Sequence, residues 1–434
     1  MSDTQPKDPR YWFSIWQFVL TLLAILGLVS GAGIAFIFGL VTSLGINTAT
    51  PGVEQPPLLT LFLFAGGLVA SALLLTPSAY YALRRINGHP ISHSPRLPWL
   101  LRPSLLIFLL PVVLLFGYWI AQIPPLSWFL LPILNVLAIG LPVLWLLYLA
   151  SRSLPLGSPQ RMWGVFGSGL VLGPAIILVL EILAMVAFIV IGVLTIINQP
   201  QLMNQIRELI PSIQQGRLSQ EQFIQVLLPW LAKPGVILAA LIFVGVVVPL
   251  IEEAVKPIGV WLLVAFDLSP AAGFAAGALS GAGYAFFESL ALGGSGGGDW
   301  TAAVSARIAT GVIHIFNTAL MGWALTRAWQ EKRYLNLGLT YLAVVLVHGA
   351  WNSLAVISAI NDLLSQQGLQ PSLSLVARIG PIAPYLLGGI TLVMFILMLW
   401  MNWRLRPKSQ AAAGATNPDI TAESQNNEPP QAVL

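Results

Sequence analysis

Residues 234–264, PGVILAALIFVGVVVPLIEEAVKPIGVWLLV, decide the class of this fold. The run is long enough to cross a bilayer, because a spanning helix needs roughly 20 apolar residues. It nevertheless contains Glu252, Glu253 and Lys256, and ionisable groups are rare and costly in such a segment. The stretch therefore predicts a membrane helix whose charged residues serve a purpose.

Composition extends this prediction to the whole chain. Of 434 residues, 57% are apolar and only 8% are charged, and the mean hydropathy is +0.82. Soluble domains usually carry about a quarter charged residues, so a soluble globular protein is excluded. The chain has no cysteine, which excludes disulfides, thiolate metal sites and cysteine catalysis. The net charge of +4 indicates no nucleic-acid partner, because the basic residues lie between apolar runs and form no patch.

The apolar runs predict an all-α, polytopic transmembrane bundle of about ten spans, because a helix satisfies its own backbone in lipid. Two runs are longer than one span, and each could be tilted, bent at Pro174 or Pro249, or continued beyond the bilayer. The runs lie near residues 16–44, 58–83, 104–122, 129–151, 164–197, 234–264, 269–293, 304–327, 335–358 and 380–403.

Basic residues between the runs predict the orientation. Fourteen Lys and Arg residues fall in the segments on one side and five on the other. Because cytoplasmic loops carry the excess of Lys and Arg, both termini are expected in the cytoplasm. The expected location is the cell membrane, with the bilayer itself as a partner.

Six segments follow from this map. The longest internal polar stretch, residues 198–233, has apolar residues at helical spacing, which indicates helices that lie on the membrane surface. The polar composition of the C-terminal tail, residues 405–434, predicts disorder. The segments are a cytoplasmic tail (1–15), N-terminal transmembrane helices (16–197), an extracytoplasmic amphipathic segment (198–233), a catalytic transmembrane core (234–358), the last loop and helix (359–404), and a disordered cytoplasmic tail (405–434).

Ionisable residues inside the runs are concentrated between residues 250 and 352. Glu252 and Lys256 are four residues apart and share a helical face, whereas Glu253 points about 100° away. One interpretation is a salt bridge at the membrane interface with Glu253 in water. The other is a bent helix lining a polar cavity, in which one glutamate is a base and the other a metal ligand or charge partner.

Three further clusters follow along the chain. Glu288 ends a run whose glycines repeat every four residues, a pattern that favours close helix packing, and Glu288 itself could be interfacial. His314 and His348 lie in separate helices, and His348 shares a face with Asn352. Imidazole and carboxylate together suit zinc, which catalytic sites bind through three protein ligands and a water. The chain contains no HExxH motif.

At these clusters the sequence resembles the PrsW family of intramembrane proteases, which belongs to a wider group with the CAAX prenyl endopeptidases and bacteriocin-processing membrane proteins. The resemblance covers roughly residues 235–358 and rests on EEAVK (252–256), on Tyr284 and Phe287 leading into Glu288, on His314 and on HGAWN (348–352). It implies a membrane-embedded peptidase that hydrolyses a peptide bond in or near the membrane, with a metal-bound water activated by a glutamate. The implied substrate is a membrane-anchored or lipidated peptide or protein.

The resemblance also implies residue roles. The metal would be divalent, with zinc expected, and its ligands would be His314, His348 and Glu253. Glu252 or Glu253 would activate the water. Glu288 would be the carboxylate of the family's second sequence motif. Asn352 would be a metal ligand or would donate a hydrogen bond to the oxyanion of the tetrahedral intermediate. Lys256 would hold one of the carboxylates in place.

Two other functions use the same residues. Buried Glu, His and Lys also build proton relays, so a proton- or ion-coupled transporter or channel is an alternative, and a non-enzymatic scaffold is a second. Glu181, the one carboxylate within an earlier run, could pair with Lys256 or Arg307 or line the same cavity. On straight spans Glu252 and Glu288 lie at different depths, so a common site requires residues 234–264 to tilt or leaves Glu288 away from the metal.

Overall fold

A computed structural model describes residues 9–44, 58–89, 103–124, 126–197, 233–292, 300–368 and 374–407, together with Asn204, Arg207 and Pro211. Within these ranges the regular structure is helical and contains no β-strand, which confirms the predicted all-α bundle. The predicted amphipathic segment 198–233 and tail 405–434 lie largely outside the described residues, and so does most of the predicted N-terminal tail.

The described part of the N-terminal half contains seven helices. The first begins at a proline, a residue suited to the first turn because its missing N–H would have no helical partner there. The helices are α1 (Pro9–Ser43), α2 (Leu58–Ile86), α3 (Pro103–Leu106), α4 (Leu110–Ala121), α5 (Leu126–Ser151), α6 (Pro159–Gly167) and α7 (Gly173–Ile197), with a 3-10 turn at Ile107–Leu109 and a π-helical turn at Ser168–Leu172.

The described ranges of the C-terminal half add eight helices and carry all the predicted site residues. They are α8 (Pro234–Ile242), α9 (Val248–Val255), α10 (Ile258–Trp261), α11 (Pro270–Leu292), α12 (Trp300–Glu331), α13 (Tyr334–Gln366), α14 (Ser374–Ile379) and α15 (Ala383–Leu405), with a π-helical turn at Phe243–Val247 and a 3-10 turn at Gly380–Ile382.

Nine helical stretches in the described ranges are long and apolar enough to cross a membrane. They correspond to nine of the ten predicted runs, and large apolar side chains such as Trp16, Leu23 and Tyr385 face outward from them. The chain is therefore an integral, multi-pass membrane protein. The tenth run forms α11, which is rich in glycine and alanine and is not among these nine stretches.

The two runs that are longer than one span, residues 164–197 and 234–264, are interrupted next to Pro174 and Pro249, where the sequence allows a bend. A π-helical turn ends just before Pro174 in the first run and just before Pro249 in the second. Proline lacks the N–H for an i to i−4 hydrogen bond and its ring crowds the carbonyl of that residue, so the wider turn accommodates it. Pro257 then ends α9, and α10 starts after it.

The centre of the bundle is the antiparallel pair α11 and α12. In the most apolar stretch of α12, 72% of the residues are buried, against at most 44% in the other eight candidate spans. The glycine ladder of α11 lies on α12: a Cβ added at Gly277 would strike the backbone of Thr318, and one at Gly281 would lie 2.7 Å from the His314 carbonyl oxygen. Small residues thus let the two backbones approach closely, as the repeat predicts.

Candidate metal centre

Four helices bring the predicted ionisable residues into one buried cluster. The helix α9 supplies Glu252, Glu253 and Lys256, while α11, α12 and α13 each supply one further residue: Glu288, His314 and His348 respectively. The side chains of Glu253 and Lys256 are fully buried. The interpretation in which Glu253 is solvated is therefore wrong.

Lys256 lies at the middle of this cluster. Its Nζ is 2.7 Å from Oε2 of Glu252 and 2.9 Å from Oε1 of Glu253. The same atom lies 2.9 Å from Nδ1 of His314 and 3.4 Å from Nδ1 of His348. One ammonium group thus compensates two buried carboxylates, which would be costly to bury without a partner.

His348 is oriented by the carboxylate that lies deepest. Its Nδ1 is 2.8 Å from Oε1 of Glu253, and its Nε2 faces Glu252 at 3.9 Å. A carboxylate on one ring nitrogen fixes the tautomer and leaves the other nitrogen available to a metal. Glu253 therefore contacts His348 on the side away from Glu252.

His314 is held by Glu288. Its Nε2 lies 2.5 Å from Oε2 of Glu288, although the pair does not have hydrogen-bond geometry. Oε1 of Glu288 faces Arg307 at 3.5 Å. The Glu288 side chain is 21% exposed, whereas that of Glu252 is 8% exposed. Glu288 is therefore the carboxylate of the cluster most open to the surroundings.

The donor set fits a divalent metal ion. One ligand atom each from Glu252, His314 and His348 lies within 4.8 Å of the others, and all three residues are buried. Oε2 of Glu252 and Nε2 of His314 have no hydrogen-bond partner among the described residues. Two imidazoles and one carboxylate match the protein ligands of catalytic zinc sites.

Backbone contacts fix the helices that carry these ligands. Ser280 on α11 donates to the carbonyl of Lys256 at 2.6 Å and accepts from the N–H of Gly259 at 3.4 Å, on either side of Pro257. Asn352 on α13 donates to the Val244 carbonyl, within the π-helical turn, at 3.1 Å. Gly349 allows this approach, since a Cβ there would strike the carbonyl of Gly245.

Three residues other than the predicted ligands and catalytic groups also join the site. The Tyr284 ring lies 4.7 Å from Nζ of Lys256 and packs edge-on against His314. Arg307 pairs with Glu288, and not with Glu181 as one alternative had it. Glu181 lies beside Glu252, and its Oε1 is buried without a hydrogen bond in the described part of the chain. Arg307 could have been found from sequence, because it precedes His314 by seven residues, about two helical turns on one face.

The fold and the cluster together define a class: a multi-pass membrane protein with a buried Glu/His centre of the kind used for hydrolysis. A family model described as PrsW family intramembrane metalloprotease matches residues 162–378, half of the chain. The chain belongs to this family and is accordingly a membrane peptidase. No curated protein and no solved structure matches it.

Proposed function

We propose that this protein is a metal-dependent endopeptidase that hydrolyses a peptide bond in or near the bilayer, with a divalent ion held by His314, His348 and Glu252. The observation that carries the proposal is the convergence of these three buried donors within 4.8 Å. The expected ion is zinc, since imidazole nitrogen and carboxylate oxygen are its usual ligands in catalytic sites.

The ligand set differs in one residue from that implied by the resemblance, because Glu252 takes the place of Glu253. Glu253 is fully buried and bound to Lys256 and to Nδ1 of His348. We assign it to orienting that imidazole, a role that carboxylates around metal sites often have. When bound, the ion would act as a Lewis acid and lower the pKa of a water.

Glu288 is the proposed general base. It contacts His314, and its side chain is more exposed than those of Glu252 and Glu253. It accepts a proton from the attacking water as the water oxygen adds to the scissile carbonyl, and delivers a proton to the leaving amine as the C–N bond breaks. Asn352 is proposed to position α13 through its contact with Val244, which uses its amide N–H.

We also propose a substrate class and a cellular location. The substrate class is a membrane-anchored or lipidated peptide or protein, and the location is the plasma membrane with both termini in the cytoplasm. The relationship to CAAX prenyl endopeptidases stays a prediction, as do the six segment boundaries.

Metal analysis of the purified full chain tests the proposal. We expect about one divalent ion per chain in the wild type, and loss of that ion in His314→Ala and His348→Ala, because two of three protein ligands are imidazoles. His89→Ala is the matched control, since His89 lies exposed after α2. Metal retention in both variants, or an equal loss in the control, would contradict the proposed centre.

Hydrolysis is tested separately with a reconstituted single-span reporter peptide. We expect cleavage by the wild type that a chelator abolishes and that His348→Ala lacks. Glutamate-dependent proton or ion flux in vesicles without any cleavage would instead support the transporter. A protein that binds no metal, cleaves nothing and only unfolds more readily in the His variants would support the scaffold.

A further inference from the structure

A second cavity, away from the metal centre, lies between α1, α2, α6, α7 and α10. Its volume is about 530 Å³, within the range of roughly 300–1,000 Å³ typical of small-molecule sites. Small residues bring its walls together: a Cβ at Gly164 would lie 2.8 Å from the Gln17 side chain, and one at Gly167 would lie 3.0 Å from Leu75. The cavity has a polar end and a long apolar body.

The polar end carries two arginines, Arg85 and Arg161. Arg85 donates to Oε1 of Gln160 at 3.4 Å, and Arg161 donates to the carbonyl of Leu156 at 3.4 Å. Neither arginine has a carboxylate partner in the described ranges, and no Asp or Glu lines the cavity. Among the described residues, the two guanidinium groups at the edge of this apolar cavity therefore have no carboxylate as counter-charge, and an anion would supply one.

A hydrogen-bond network holds the polar end of the cavity in place. Gln160 is buried and donates to Ser14 at 2.9 Å and to Gln17 at 3.1 Å, and Gln17 donates to Ser78 at 3.1 Å. This network joins α1, α2 and α6 at the end of the bundle that carries Arg85. On the predicted orientation this end faces the cytoplasm, where the leaflet is rich in anionic lipid and basic pockets between helices bind lipid headgroups.

The body of the cavity is apolar and long. Its walls include Leu20, Leu75, Val171 and Ala175, and the stretch from Arg161 to Ala175 spans about 20 Å at 1.5 Å per residue. The polar atoms within it are satisfied internally, since Ser168 donates to the carbonyl of Gly164 at 2.8 Å. A peptide backbone here would find few hydrogen-bond partners, whereas an acyl chain needs none.

We propose that this cavity binds one anionic phospholipid, with its phosphate between Arg85 and Arg161 and one acyl chain along the wall formed by Leu75, Val171 and Ala175. Trp16, Leu20 and Leu262 are exposed at the rim. The rim therefore faces the surrounding lipid, and an acyl chain can enter from the side.

The test is a lipid titration of the delipidated full chain, followed by native mass spectrometry. Phosphatidylglycerol and phosphatidylcholine with identical acyl chains are the probes. At about fivefold per arginine, we expect phosphatidylglycerol to bind about thirtyfold more tightly. Equal affinities for the two lipids would overturn the proposal, and so would equally strong displacement of phosphatidylglycerol by inorganic phosphate.

Variants locate the site. Arg85→Gln/Arg161→Gln should abolish the preference for phosphatidylglycerol, while Arg84→Gln/Arg152→Gln, with the same change in net charge, should retain it. Arg85→Lys/Arg161→Lys should retain most of the preference, and this result would separate the loss of charge from misfolding. Equal losses in both Gln pairs would overturn the assignment.

The apolar body is tested with Ala175→Phe, which fills the cavity. It should weaken the binding of both lipids, whereas Ala187→Phe on the exposed face of the same helix should weaken neither. If an uncharged transmembrane peptide displaced the lipid, and Ala175→Phe blocked that peptide while the arginine variants did not, the cavity would belong to a peptide and the proposal would fail.

Discussion

Nζ of Lys256 lies 2.9 Å from Nδ1 of His314, so the ammonium group occupies the space between the imidazole and the two neighbouring glutamates. This position makes Lys256 the internal cation of the cluster. Its removal leaves two buried carboxylates without their partner, and this relationship yields the first prediction.

Lys256→Met should destabilise the metal-free protein by about 3–5 kcal/mol, because breaking a buried ion pair leaves an uncompensated charge. The measurement is the thermal unfolding midpoint in detergent, with a chelator present. The control is Lys332→Met, since Lys332 is exposed. Added zinc should recover more stability in Lys256→Met than in the wild type, because the ion replaces the lost positive charge. Equal midpoints for Lys256→Met and the control would count against this role.

Glu252→Gln and Glu288→Gln should separate a ligand from a base. Glu252→Gln is expected to lose bound metal, while Glu288→Gln should retain it and cleave the reporter about 10²–10⁴-fold more slowly, the usual contribution of general acid–base catalysis. Metal content and cleavage rate are measured on the same preparations, with Glu331→Gln as the control because Glu331 is exposed and pairs, in the described chain, with Arg327 and Arg333. The reverse pattern would exchange the two roles.

Ser280→Ala should cost about 1–3 kcal/mol, because it leaves the buried Lys256 carbonyl without its hydrogen bond. Ser289 is the matched control: it lies on the same helix, is equally buried, and its Oγ has no hydrogen-bond partner among the described residues. Ser289→Ala should therefore change stability by less than about 0.5 kcal/mol. A comparable loss in both variants, measured by thermal unfolding, would contradict the account of Ser280.

Gly277→Ala should destabilise the bundle by about 1–3 kcal/mol, since the new methyl group collides with the backbone of α12 and the helices must separate. Gly192→Ala provides the contrast. Nothing lies within 4 Å of a Cβ at Gly192, and alanine favours a helix over glycine by about 0.5–1 kcal/mol. Thermal unfolding of the two variants should therefore shift in opposite directions, and a shift in the same direction would contradict this packing.

Much of the fold follows from the sequence, because each membrane-spanning helix requires a long run of apolar residues. The proline positions also indicate where the two overlong runs are interrupted. The form of the interruption does not follow, since a π-helical turn depends on how the neighbouring helix packs: Gly245 must admit α13, and Asn352 must reach the Val244 carbonyl. These partners are more than 100 residues away in sequence.

The membership of the buried cluster was largely predictable, but its contacts were not. Helix geometry accounts only for the contacts of Lys256 with Glu252 and Glu253, because residues four and three positions apart are neighbours on a helix. The contact of Glu288 with His314 requires the register of α11 against α12, which the glycine repeat limits without fixing. Straight spans had separated Glu252 from Glu288 in depth, and the interruption of the helix at Pro249 and Pro257 alters that geometry.

The modest hydropathy of α11 has a consequence for biogenesis. A segment rich in glycine and alanine, with a tyrosine and a glutamate, gains little by leaving the translocon for lipid on its own. We expect α11 to insert together with α12, as a hairpin whose inner face is already covered. Glycosylation mapping of residues 270–292 with and without residues 300–331 would show it, and full insertion of the isolated segment would refute it. The helix that carries Glu288 would then insert into the bilayer only together with the helix that carries His314.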